Sequence, residues 1–150
     1  MRMFEVMTED VATVKPTMAA ADAWEVMRRK GIHHLVVVQG SQVVGILSDR
    51  DGGSRAGASI RADHTVADLM TKPVVTRALT DTIRSAANVM RGRTIGCLPI
   101  VDRGRLVGIV TVSDLLQLLG RGADRRAKPP RPALHWRVPH RKKRRATTGR

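Results

Sequence analysis

A single cysteine, Cys97, stands in 150 residues, which excludes an intrachain disulfide and any four-thiolate metal site. Tyrosine is absent, and Phe4, Trp24 and Trp136 are the only large aromatics. The core must therefore be aliphatic, and stacking of bases on aromatic platforms has little material. No uninterrupted apolar run approaches the ~20 residues that a membrane helix needs. The opening MRMFEVMTED carries charge within its first ten residues and has no apolar h-region, which argues against a secretory signal. These absences lead to the expectation of a soluble cytoplasmic protein without a transmembrane segment, long enough to build one real core.

Acid is scarce in one region only. From Arg121 onward there are 12 Lys and Arg residues against a single acid, Asp124, so the tail carries about +11 and the preceding body about +3. Residues 121–150 also hold Pro129, Pro130, Pro132, Pro139 and the run Arg141 to Arg145. This composition cannot bury a core and predicts disorder. Such a cluster attracts nucleic-acid phosphates without reading sequence, and equally attracts anionic membrane surfaces or acidic proteins. A merely solvating tail is the plainer alternative. Leu134, Trp136 and Val138 alternate with polar residues and suit a short docking strand.

What the chain does have is an internal repeat. Residues 7–51 return as residues 70–114 at a constant offset of 63 without a gap, with 16 of 45 positions identical; about three are expected by chance at average composition. Met7/Met70, Thr8/Thr71, Met27/Met90, Gly45/Gly108 and Asp51/Asp114 are among them. A duplication of this kind points to a pseudo-symmetric pair, with function in the groove between the halves. It divides the chain into residues 1–60, the first motif with its linker, 61–120, the second motif, and 121–150, the basic tail.

Each copy has the same layout. Thr17 and Thr80 are expected to start helices, whose apolar positions Ala20, Ala23, Trp24, Met27 and Ile83, Ala86, Ala87, Met90 recur at helical spacing; Gly31 supplies a stop. β-hairpins follow, with strands over 35–38 and 43–47 around Gln39, Gly40 and Ser41, and over 98–101 and 106–110 around Asp102, Arg103 and Gly104. Short extended pieces, 12–14 and 74–76, precede the helices. Before them lies a single helical turn, capped in the second copy by the Thr65 and Asp68 box. A closing helix over 113–119 ends at Gly120. In the first copy Gly52 and Gly53, each costing roughly 1 kcal/mol in a helix interior, predict that the equivalent helix is shortened or lost, leaving 52–64 as a linker.

The order turn, strand, helix, hairpin, helix, with Met-Thr at its start and GILSDRD (45–51) or GIVTVSD (108–114) at its end, resembles the CBS domain, named after cystathionine β-synthase. The resemblance covers both copies and leaves out the tail. It implies an α/β fold in which two β-α-β-β-α motifs pack as a pseudo-two-fold Bateman module. It also implies pairing into a homodimer and a cleft for adenosine-containing ligands such as AMP, ADP, ATP or S-adenosylmethionine. By that resemblance one cleft would be completed by Ser48 with Asp51, and the other by Thr111 with Asp114. The chemistry fits independently: a carboxylate near a helix start can accept hydrogen bonds from a vicinal ribose diol, and a hydroxyl beside helical N–H groups suits a phosphate oxygen.

By the same resemblance the adenine inserts beside Thr13, Val14 and Lys15 with Ile32, His33 and His34 in one copy. In the other it inserts beside Thr76 and Arg77 with Ile95, Gly96, Cys97 and Pro99. Gly45 and Gly108 would allow close backbone approach. Arg50, Lys15, Arg77 and Arg84 are the candidate phosphate cations. No cofactor is required on this reading; the nucleotide or S-adenosylmethionine is a regulatory ligand.

Plainer roles compete with each of these. Asp51 and Asp114 also suit simple helix caps. His33 and His34 lack further ligands at fixed spacing for a metal. Cys97 lies in an apolar segment where an inert buried thiol is expected. Ser48 and Ser113 have no evident base, so no enzyme is indicated. The sequence therefore favours a non-catalytic module that senses an adenosine ligand and signals to a separate regulated protein. The alternative is a nucleic-acid-associated protein whose paired motifs are a dimerisation platform for the tail.

Overall fold

Two three-stranded sheets, each carrying its own helix, stand side by side in the computed structural model, which describes residues 1–53 and 56–126, with side chains as far as 121. The basic tail expected to be disordered lies outside the described residues from 127 onward. In the first sheet β1 (Thr13–Val14) runs parallel to β2 (His34–Gln39), which pairs antiparallel with β3 (Gln42–Ser48). The second sheet repeats this order with β4 (Arg77–Ala78), β5 (Cys97–Asp102) and β6 (Arg105–Thr111). Helices α1 (Ala20–Lys30) and α4 (Ile83–Arg93) are displaced by the same 63 residues as the hairpins. Both hairpins even carry a register shift at the same place, between Val37 and Val38 and between Ile100 and Val101.

Four local expectations need correction. Thr17 does not cap α1, which begins after Ala19 with no side-chain cap. In α4 the cap is Thr82, whose Oγ1 accepts from Ser85 N at 3.2 Å, rather than Thr80. Both helices therefore start two residues later than the threonine spacing suggests. The extended piece of the second copy falls at Arg77–Ala78 instead of 74–76, although Arg77 faces Ile100 in the register in which Val14 faces Val37. Finally, Gly120 does not end the closing helix: α5 spans Val112–Arg126, past the boundary drawn at 121.

Gly31 closes α1 with a left-handed φ of 64°, as glycine does readily. Thr94 makes the same turn in α4 at φ 53°. The described residues after Asp51 form no long helix before Val66; α2 (Ala58–Arg61) packs against α1 instead. Arg61, 7% exposed, places its guanidinium 4.1 Å from the centre of the Trp24 ring and donates from Nη1 to the Gly52 carbonyl at 2.7 Å. A cation on an aromatic face thereby covers the flank that a helix covers in the second half.

The core is divided in two, and each part is closed by a segment from the other repeat. Val14, Ala23, Met27, Leu35, Val37 and Leu47 of the first repeat bury Val66 of α3 (Val66–Leu69), with Met70 packed alongside. Ala86, Met90, Leu98, Ile100 and Val110 of the second repeat bury Met3, from the 3-10 turn Met3–Glu5, with Met7 alongside. Backbone pairing follows the same exchange. Thr8 and Ile109 form a reciprocal pair at 2.9 and 3.0 Å, and Thr71 and Ile46 another at 2.8 and 3.1 Å.

This exchange explains the paired glycines. A Cβ on Gly45 would stand 2.3 Å from Met70 Sδ, and one on Gly108 would stand 2.4 Å from Met7 Sδ. The missing side chains make room for methionines of the opposite repeat. Gly45→Ala and Gly108→Ala are each expected to destabilise the fold by about 1–3 kcal/mol through overpacking. Gly45→Ala should cost less in a Met70→Ala background, so a double-mutant cycle in urea that shows simple additivity would count against the contact.

A candidate ligand cleft shared by the two repeats

Where the exchanged segments cross between the sheets, a cleft of about 1090 Å³ opens. Apart from Lys30, every residue lining it has its counterpart, 63 positions away, in the lining as well. Its walls are the segments around Val11 and Ala12 and around Val74 and Val75, with Ile46 and Ile109 from the two exchanged pairs. One end is built by residues 31–34 and 48–51, which are joined by Asp49 N donating to the His33 carbonyl at 3.0 Å. The other is built by 94–97 and 111–114, joined in the same way by Val112 N and the Gly96 carbonyl at 3.0 Å.

Asp51 and Asp114 lie at opposite ends of this one cleft, both partly buried. Each makes the reciprocal bonds of a capping box with the hydroxyl residue three positions earlier, Asp114 at the start of α5 and Asp51 on a turn with no long helix behind it. Asp51 Oδ2 accepts from Ser48 N at 2.8 Å, and Ser48 Oγ accepts from Asp51 N at 3.3 Å. Asp114 Oδ2 accepts from Thr111 N at 2.7 Å and from Thr111 Oγ1 at 2.9 Å, and Thr111 Oγ1 accepts from Asp114 N at 3.3 Å. Only Oδ2 is used in either case. Oδ1 of both carboxylates has no hydrogen bond among the described residues and remains able to accept one. Capping and ligand contact are thus compatible in the same side chain.

Of the residues singled out from sequence, Ile32, His33, His34, Ser48, Arg50, Asp51, Ile95, Gly96, Cys97, Thr111 and Asp114 line the cleft. Thr13, Val14, Lys15, Thr76, Arg77 and Pro99 do not. Val14 is buried under α1, and Thr13 and Lys15 are exposed. Pro99 is buried, on the opposite face of β5 from Leu98 and Ile100 by strand alternation. The lining positions are instead Val11, Ala12, Val74 and Val75, two residues earlier, because the chain enters the cleft before it joins the sheet. Among the expected cations only Arg50 lines the cleft, with Lys30 in place of Lys15, Arg77 and Arg84. Thr8 and Thr71 were missed as well; the Met-Thr identity in both repeats was their signal.

His34 reaches across the middle: a Cβ on Gly96 would stand 3.0 Å from its Nε2. Burial holds its pKa below the ordinary histidine value, against the pull of Asp49 and Asp51, and the neighbouring His33 and Arg50 act in the same direction as burial. Burial pushes the Cys97 thiol up to about 12, so it stays protonated and poorly nucleophilic near neutral pH. His33 Nδ1 lies 3.0 Å from Asp49 Oδ2.

The CBS domain model matches residues 3–51 and 66–121. The chain belongs to the CBS-domain family. The CBS domain-containing protein YhcV of Bacillus subtilis is 34% identical over 112 residues, spanning 74% of this chain and 80% of YhcV. Homoserine O-acetyltransferase of Methanohalobium evestigatum is 33% identical over 117 residues, 77% of this chain, yet the match spans only 23% of that enzyme. Among solved structures, a putative acetoin utilization protein, AcuB, from Vibrio cholerae superposes with a TM-score of 0.72 at 27% identity, covering 83% of this chain and 93% of that one. The CBS domain pair of protein MJ0100, in complex with 5′-methylthioadenosine and S-adenosyl-L-methionine, gives 0.72 at 26% identity, covering 80% and 100%.

The cleft makes stability depend on pH in a definite direction. Because the fold holds His34 neutral, the unfolded chain takes up the proton first as pH falls through 6.5, and stability declines until the lower folded-state value is passed. The drop in thermal midpoint between about pH 7 and pH 5 should therefore be smaller in His34→Asn than in the unsubstituted protein. Equal drops would rule out burial of this imidazole as a source of acid sensitivity.

Proposed function

We propose that this CBS pair is a non-catalytic regulatory module of the cytoplasm. In this reading it holds an adenosine-containing ligand, an adenine nucleotide or S-adenosylmethionine, in the shared cleft and signals its presence to a regulated partner protein. The observation that carries this reading is the pair Asp51 and Asp114, facing one cleft from its two ends with one carboxylate oxygen each uncommitted. An ionised carboxylate accepting from both hydroxyls of a ribose is a charge-assisted arrangement. Aliphatic residues such as Ile32, Ile95, Ile46 and Ile109 offer apolar cover for a base without any aromatic. The 26% identical domain pair solved with adenosyl ligands supports the choice of ligand class.

Ser48 and Ser113 line the cleft, but neither is hydrogen-bonded to a histidine among the described residues, which supports binding rather than nucleophilic catalysis. A ligand that touches both ends favours the arrangement in which the repeats are closed on it, and a partner that distinguishes this arrangement reads the signal. That partner assembly includes a second copy of the chain. Val112, Leu116 and Leu119 form an exposed apolar stripe on α5, 42%, 61% and 68% exposed, at a spacing that suits packing against another helix.

Thermal shift tests the reading. An adenosine compound at a hundred times its dissociation constant should add ~2.7 kcal/mol of stability. Asp51→Ala and Asp114→Ala should reduce or abolish the ligand-induced shift, each measured against the variant's own unliganded midpoint because the cap is lost too, at about 1 kcal/mol. Absence of any shift with AMP, ADP, ATP, S-adenosylmethionine or 5′-methylthioadenosine would sink it. The tail's charge supports a second reading, retention of DNA or RNA. Removal of 127–150, which leaves α5 whole, should then abolish salt-sensitive retention while sparing the ligand shift.

A further inference from the structure

The cleft is symmetric in position and unequal in charge. At the first-repeat end stand Arg50 and Lys30, both exposed and neither hydrogen-bonded nor ion-paired among the described residues. The repeat partner of Arg50 is Ser113, and the partner of Asp49 is Val112. Among the described residues no lysine or arginine lines the second-repeat end. The acids at the first end are already engaged or assigned: Asp49 lies against His33 at 3.0 Å, and Asp51 caps Ser48. Besides Asp114 at the other end, Asp10 also lines the cleft, on the crossing segment between the sheets, where the repeat has Pro73.

The two hydroxyls differ as well. Thr111 Oγ1 donates its proton to Asp114 Oδ2 at 2.9 Å. Ser48 Oγ only accepts, from Asp51 N, and its proton has no acceptor among the described residues. The first end therefore presents two unpaired cations and a free hydroxyl donor, while the second presents an apolar Val112, a neutral Ser113 and a hydroxyl already committed. Charge-assisted donors of the first kind are what a phosphate oxygen requires. A phosphate placed at the second end would give up hydration with no cation among the described residues to replace it.

Resting on the adenosine reading above, we propose that the ends are unequal half-sites. The end carrying Arg50, Lys30 and Ser48 takes an adenine nucleotide through its phosphate, and the end carrying Thr111, Ser113 and Asp114 takes an adenosine whose 5′ substituent bears no phosphate. Arg50 is the specificity-determining residue, because it is the position in the 45–51 and 108–114 motifs at which the repeats exchange a cation for a neutral side chain.

Titration calorimetry with AMP and with 5′-methylthioadenosine, on the full chain and on Arg50→Ser and Ser113→Arg, tests this. The unsubstituted protein should bind both compounds at once. Arg50→Ser, which copies the second repeat and removes only an exposed side chain, should weaken AMP by about tenfold or more while leaving 5′-methylthioadenosine unchanged. Ser113→Arg should create a second AMP site. If Arg50→Ser leaves the ratio of the two affinities unaltered, or the compounds compete for a single site, the inequality is overturned although the adenosine reading survives. If the unsubstituted chain binds neither compound, both fall.

Discussion

Two methionines seated on two glycines hold the halves of this molecule together: Met7 over Gly108 and Met70 over Gly45. Each methionine comes from one repeat and its glycine from the other, so neither half-core is complete without the neighbouring segment. Because interiors are packed as densely as organic crystals, an interlock of this kind sets the spacing of the sheets more strictly than general apolar attraction would. The paired backbone hydrogen bonds of Thr8 with Ile109 and of Thr71 with Ile46 fix the same crossing in direction as well as distance.

The cleft is a by-product of that crossing. Residues that have just left the exchanged pairs, Val11 and Ala12 or Val74 and Val75, run over the space between the sheets before they enter β1 and β4. The ends are then defined by the reciprocal caps of Asp51 and Asp114, which order the side chains that a ligand would meet. A carboxylate with one oxygen tied to the backbone and the other open is already oriented before any ligand arrives, which reduces the ordering cost of binding. In the first half, where two glycines follow Asp51, the Arg61 guanidinium on Trp24 and on the Gly52 carbonyl anchors the turn that a helix anchors in the second.

The repeat offset made most of the elements legible, since α1 and α4 and both hairpins keep the displacement of 63 without error. Turn chemistry was legible too: Arg103 and Gly104 both take positive φ, as a tight hairpin asks. What could not be read were the facts that depend on the other half. Thr17 has the side chain of a cap, but the Ala19 and Ala20 backbone is engaged by Thr65 and His64 of the exchanged segment, and the helix begins there instead. In the sequence the glycines of the two motifs suggest room for a ligand, whereas the space is filled by a methionine more than twenty residues away. The lining was misplaced by two residues for the same reason: the approach of the chain to the sheet is set by a partner strand distant in sequence. Asp51, Asp114 and the segments beside them were readable because their partners are local.

The crossed packing also bears on how such a chain arises. A lone unit of this kind has nowhere to place its leading turn, and its own half-core lacks a lid. It can satisfy both needs only by lending the turn to an identical molecule and borrowing one in return. Joining two such mutual lenders end to end turns an encounter between molecules into an event within one, at an effective concentration on the order of millimolar for a short flexible tether. Fusion of this sort frees the two copies to diverge, and the replacement of Arg50 by Ser113 and of His33 by Gly96 shows that they have done so.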